Sequence, residues 1–132
     1  MRRSVVAFSF LAILLLPDSA GAAVVATAPG GFLAGYAPPV VIVEQGEDIT
    51  YANGDVAPHN FMAPDDFLRK KKAKKVKWCS AYDKGKCPLF WSETIGAGET
   101  TEVLGLEGLE PGNEYAFFCS VHPNMRGTLI VR

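Results

Sequence analysis

Tyr115-Ala-Phe-Phe-Cys-Ser-Val-His-Pro-Asn-Met-Arg-Gly-Thr-Leu-Ile-Val-Arg132 is the stretch on which the fold turns. It reads as a strand ending at Cys119, a tight loop carrying His122 and Met125, and a strand from Thr128 to Val131. A thiolate, an imidazole and a thioether therefore share one short loop at C-x2-H-x2-M spacing. Soft and borderline donors of this kind suit copper, because zinc rarely takes Met and calcium and magnesium want oxygen. A trigonal site of two His and one Cys needs one more imidazole. The chain has 2 histidines, so the second is His59, in Ala57-Pro58-His59-Asn60-Phe61.

Outward from this loop, short strands alternate with Gly/Pro turns. Val40-Val41-Ile42-Val43 is a β-branched run, and Glu44-Gln45-Gly46 turns the chain. Asp48 to Asn53 alternates, with Ile49 and Tyr51 on one face and Thr50 and Ala52 on the other, the pattern of a strand with one buried side. Asn53-Gly54-Asp55 marks the next turn. Further strands are expected at Val24–Thr27, Trp91–Thr94 and Glu99–Leu104, and Phe32, Leu33 and Tyr36 are expected to pack under a sheet. Without an amphipathic helix, this pattern argues for an all-β sandwich.

Gly46-Glu47-Asp48, then Pro58-His59-Asn60, then Phe118-Cys119-x-x-His122-Pro123-x-Met125-x-Gly127 occur in that order. In this the chain resembles the blue copper proteins (cupredoxins), close to the plastocyanin/amicyanin group. The short loop is more similar to amicyanin. The match covers roughly Val40–Asn60 and Trp91–Arg132. The resemblance implies a Greek-key β-sandwich holding one type 1 copper ion on His59, Cys119, His122 and a weak axial Met125. Met62 is a rival axial donor, more simply read as core filler. The resemblance also implies that Asn60 ties its loop to Ser120 beside the thiolate, around the metal ligands. It makes His122 the electron port, in an apolar patch with Ala57, Pro58 and Pro123. Leu109-Glu-Pro-Gly-Asn-Glu-Tyr115 resembles a tyrosine corner, and Gly127 is expected to permit the turn into the last strand.

Length and composition bound the rest. With 132 residues there is room for one domain and one core. Met1-Arg2-Arg3 is a basic start, Val5–Leu16 is an uncharged apolar run of 12 residues, and Ala20-Gly21-Ala22 offers a cleavage site. A membrane span takes about 20 residues, so residues 1–22 read as a secretory signal peptide before a domain at 23–132. The Arg pair matches a twin-arginine signal poorly. The expected location is the periplasm or an extracellular, cell-envelope space. Removing residues 1–22 leaves 11 basic and 13 acidic residues, net −2, which offers no general case for nucleic-acid binding.

Three cysteines in an exported chain leave one over, and the metal explains Cys119. Cys79 and Cys87, with seven residues between them in a turn-rich segment, are expected to form a disulfide. Two free thiols or a second metal site are the alternatives. They belong to an insert at about 65–90 that departs from the plastocyanin and amicyanin patterns. Within it, Arg69-Lys-Lys-Lys-Ala-Lys-Lys-Val-Lys77 packs seven positive charges into nine residues. It reads as a solvated loop or as a docking patch for an acidic redox partner or anionic surface.

The function expected is one-electron transfer between redox partner proteins by a monomer that is not an enzyme. The alternative is a copper-binding or delivery protein. A Cys-His hydrolase built on Cys119 lacks further catalytic machinery. A multicopper oxidase fragment lacks the His-Cys-His tripeptide that bridges to a second copper cluster.

Overall fold

The computed structural model describes residues 21–63, 67–68 and 87–132. Most of the expected leader, the basic run Arg69–Lys77, Cys79 and the side chain of Cys87 lie outside the described residues, and with them the expected disulfide. In chain order the elements are β1 (Ala23–Thr27), α1 (Gly31–Ala34), β2 (Tyr36–Ala37), β3 (Val40–Val43), β4 (Ile49–Asn53), β5 (Phe67–Leu68), β6 (Cys87–Pro88), β7 (Thr100–Glu102), β8 (Glu114–Phe118) and β9 (Arg126–Val131). A 3-10 turn at Leu106–Gly108 precedes β8.

Two sheets form the sandwich. One has the order β2-β1-β4-β7 and the other β3-β9-β8, while β5 and β6 make a small separate ribbon. The pairings β1–β4 and β3–β9 are parallel and join strands distant in sequence, and β8–β9 is antiparallel. Period-two patterning sets which side chains face inward. In β3, Val41 and Val43 are buried while Val40 and Ile42 look outward, and in β4 Ile49 and Tyr51 are buried. Burying each such side chain stabilises the fold by about 1.5–3 kcal/mol.

Between the sheets Tyr36, Tyr51, Phe61, Phe90 and Phe117 form one aromatic cluster. Phe61 and Phe117 lie 4.3 Å apart, and Tyr36 meets Phe117 edge-on at 5.0 Å. The tyrosine corner is present, with the Glu110 N–H donating to the Tyr115 hydroxyl at 3.0 Å.

Three local expectations are corrected. Tyr36 is buried, but Phe32 is 56% and Leu33 82% exposed. They sit on α1, whose inward residue is Gly31, so its larger side chains are left outside. Trp91–Thr94 is not a continuous strand. Trp91 pairs with Leu104, but the next acceptor for Phe61 N–H is the Ser92 hydroxyl at 2.9 Å, so a side chain interrupts the ladder. Gly127 makes no turn, because it lies inside β9. A Cβ there would sit 2.2 Å from Phe117 Cζ and 2.5 Å from the Pro39 carbonyl oxygen, so glycine serves close packing.

Candidate metal centre

Two loops at one end of the sandwich carry the donor residues. The first follows β4. Asn53 organises it, its side-chain amide donating to the carbonyls of Ala57 (2.7 Å) and Ile95 (3.0 Å) while its oxygen accepts from Asp55 N–H at 2.9 Å. His59 is then clamped by reciprocal backbone bonds with Ile95, of 3.1 and 2.9 Å. The second loop joins β8 to β9. The Met125 N–H donates to the His122 carbonyl at 2.9 Å, and the Cys119 N–H to the Met125 carbonyl at 3.2 Å. These bonds close a tight turn that returns the chain at Met125 to the level of Cys119.

The loops meet. His59 Nδ1 is 3.6 Å from Cys119 Sγ and 3.0 Å from His122 Nδ1, and the three donor atoms lie within 4.8 Å of one another. His59 and Cys119 are fully buried, His122 half-buried, and Met125 buried on the same loop. Met62 is also buried, but its sulfur lies 3.9 Å from Asn60 Nδ2.

Asn60 joins the loops. Its Nδ2 donates to Ser120 Oγ at 2.7 Å, and its Oδ1 accepts from Ser120 N–H at 2.8 Å. Its backbone carbonyl takes a hydrogen bond from the Tyr36 hydroxyl. Burial, with Cys119 and Tyr51 nearby, pushes the Tyr36 hydroxyl well above the usual tyrosine range and keeps it a donor.

The far edge of the His59 ring faces a carboxylate. Asp55 Oδ2 lies 2.8 Å from His59 Nε2 and also accepts Gly31 N–H, while Oδ1 accepts Gly30 and Val56 N–H. The His59 hydrogen bond, with smaller help from those amides, holds the Asp55 carboxyl down to about 2. An ionised carboxylate only accepts, so Nε2 carries the ring proton and the Nδ1 lone pair faces Cys119 and His122. The pattern DxxxH was visible in the sequence, but there Asp55 read only as part of a turn.

This donor set fits copper. Two imidazole nitrogens and one thiol converge at separations that bonds of roughly 2 Å to a single ion span. The nearby Asp55 carboxylate is engaged on the other edge of the ring, which leaves nitrogen and sulfur as the convergent donors. The comparison with known families agrees. Residues 22–132 match the family of copper binding proteins described as plastocyanin/azurin.

The chain belongs to the plastocyanin/azurin family of copper-binding proteins. It is a cupredoxin, and its resident metal is one type 1 copper. Among solved structures it is similar to a purple cupredoxin from Nitrosopumilus maritimus, at 22% identity over 83% of this chain and 99% of that one, TM-score 0.59. A reduced copper(I) form of an amicyanin variant aligns at 21% identity over 85% of this chain and 83% of that chain, TM-score 0.56. A copper-containing nitrite reductase from Thermus scotoductus aligns at 22% identity over 84% of this cupredoxin but only 22% of the reductase, TM-score 0.55. No curated protein sequence matches the chain.

Proposed function

We propose that this cupredoxin is a one-electron carrier in which His59, Cys119 and His122, with Met125 from the same loop, would hold the copper. The observation that carries this reading is the approach of His59 Nδ1 to Cys119 Sγ and His122 Nδ1 at 3.6 and 3.0 Å. Copper, when bound, supplies the Cu(II)/Cu(I) couple. The chain keeps the donor geometry nearly constant between the two states. Cys119 and His59 are buried, their loops are tied by Asn60 and Ser120, and the rings below them are close-packed. Little atomic motion then accompanies each electron.

Half-buried His122 is the port. The donor loops themselves carry exposed Pro58, Val121 and Pro123 and half-buried Ala57, and Val56 on the first loop is 92% exposed. A redox protein with an apolar face docks here, against a monomer. The reading is of a carrier, without a substrate and without turnover of its own. The basic run Arg69–Lys77 is proposed to steer an acidic partner or anionic surface toward the protein, which raises association rate more than affinity. The basic start, the Val5–Leu16 apolar run and Ala20-Gly21-Ala22 support export to the periplasm or cell-envelope space.

The test is copper(II) titration of residues 23–132, followed by visible and electron paramagnetic resonance spectra and voltammetry. An intense visible band, retained copper and a reversible one-electron wave are expected. A colourless, freely exchanging copper overturns the reading.

A further inference from the structure

We infer that Asp55 is a positioning residue for the copper centre, presenting Nδ1 of His59 to the metal and lowering the reduction potential with a fixed negative charge. The inference deepens the electron-carrier reading and rests on it.

Asp55 lies four residues before His59, and its side chain is almost out of water, 7% exposed as a residue. Its two oxygens accept four hydrogen bonds: Gly30 N–H (3.1 Å) and Val56 N–H (2.8 Å) on Oδ1, Gly31 N–H (3.1 Å) and His59 Nε2 (2.8 Å) on Oδ2. Three backbone amides therefore fix the carboxylate before it meets the ring. The ring in turn cannot swing without breaking the fourth bond.

Gly31 closes the pair off. A Cβ at that position would lie 3.2 Å from both Asp55 Oδ2 and His59 Nε2, and 2.2 Å from Thr27 Cγ2. Backbone, not side chain, covers the carboxylate–imidazole contact, and only glycine lets it come so near. The glycine at 31, the turn at Gly30 and the buried acid thus serve one contact.

Two consequences follow from the chemistry. A hydrogen-bonded carboxylate makes the imidazole a stronger donor and holds its ring in one orientation. A negative charge one ring away, in a site poor in water, favours the more highly charged copper(II) over copper(I), which lowers the potential. The neutral backbone carbonyls around the loop supply no such charge.

The experiment compares parent, Asp55→Asn and Asp55→Ala. The asparagine keeps the shape and removes the charge, and its potential is expected to rise while the copper spectrum stays intense. The alanine removes both charge and hydrogen bond, and it is expected to raise the potential and to weaken copper(II) affinity about 10- to 100-fold. Unchanged potentials in both variants overturn the inference. If the variants do not fold, the parent decides. In its diamagnetic copper(I) form, the His59 Nε2–H should give a downfield, slowly exchanging proton resonance in contact with Asp55, and a proton exchanging freely with water overturns the inference. A parent without the intense visible band defeats the electron-carrier reading and this inference together. A blue parent whose potential ignores Asp55 defeats only the latter.

Discussion

Asn60 and Ser120, sixty positions apart in the chain, exchange two hydrogen bonds of 2.7 and 2.8 Å through one side-chain amide. The pair joins the loop carrying His59 to the loop carrying Cys119 and His122, beside the paired backbone bonds of Met62 and Phe118. Buried His59, Cys119 and Met125 pack where the loops meet. Ser120 and Val121 are exposed and His122 is half-buried, so on that side directional bonds add to the packing.

Asn60→Ala leaves Ser120 N–H and Oγ without this partner in a partly buried position. The expected loss is on the order of 1–3 kcal/mol, the usual cost of a stranded polar group. Denaturant titration of the metal-free protein measures it. Copper should also dissociate faster from the variant, and a parent-like release rate would mean that the loops are joined by something else.

Cys119→Ser should abolish the intense visible absorption of the copper(II) protein while leaving the sandwich folded. In the proposed site the thiolate is the source of the band, and the side chain is fully buried beside His59, so an isosteric hydroxyl fits. Visible spectra set beside far-ultraviolet circular dichroism separate the two effects. An unchanged band would remove Cys119 from the metal.

Met125→Leu should keep copper but raise the potential. Met125 is buried, so a branched apolar side chain of similar volume is accommodated at less than about 1.5 kcal/mol. In the proposed site Met125 is the weak sulfur donor, whose loss would disfavour copper(II). Voltammetry gives the answer, and an identical potential would point to another axial neighbour.

The β-branched run of β3 and the alternation of β4 were legible in the sequence because burial on one face leaves a period-two trace. The convergence of His59, Cys119 and His122 was legible for a different reason, the rarity of Cys and His in the chain and their short spacing on one loop. What could not be read is whatever depends on approach in space. Phe32 and Leu33 looked like core because they are apolar, yet Gly31 must face His59 and turns them to solvent. Asp55 carries no signal that separates a turn former from a partner of the His59 ring, because its four hydrogen bonds come from residues as distant as Gly30. Gly127 looked like a turn residue, whereas the reason for it is the Phe117 ring beneath β9.

Gly127→Ala tests that last point. The added carbon would come within 2.5 Å of both Phe117 Cε2 and the Pro39 carbonyl oxygen, so ring and backbone must both shift. Overpacking of this kind costs about 1–3 kcal/mol. A midpoint equal to the parent in denaturant would show that β9 has slack there. Phe117→Leu combined with Gly127→Ala should recover part of the loss if the ring is the obstacle.

Alkaline pH should destabilise the fold through its buried tyrosines. Burial pushes the Tyr51 hydroxyl up to about 12 despite its hydrogen bond with Thr27 Oγ1, and Tyr36 is raised further. An unfolded tyrosine ionises near pH ~10. Both hydroxyls are therefore neutral in either state below that pH, and their contribution to stability is fully present. Above it the unfolded chain releases protons that the folded protein keeps, so the folded state binds more protons and stability falls as pH rises. For Tyr51 the fall runs from about pH 10 to about 12. Each such tyrosine adds up to about 1.4 kcal/mol per pH unit to the slope. Tyr51→Phe should be slightly less stable at neutral pH, because Thr27 loses its partner, and should lose stability less steeply across that window. Denaturant titrations of the metal-free proteins at a series of alkaline pH values measure the difference. Parallel pH curves for parent and variant would mean that Tyr51 ionises as readily folded as unfolded.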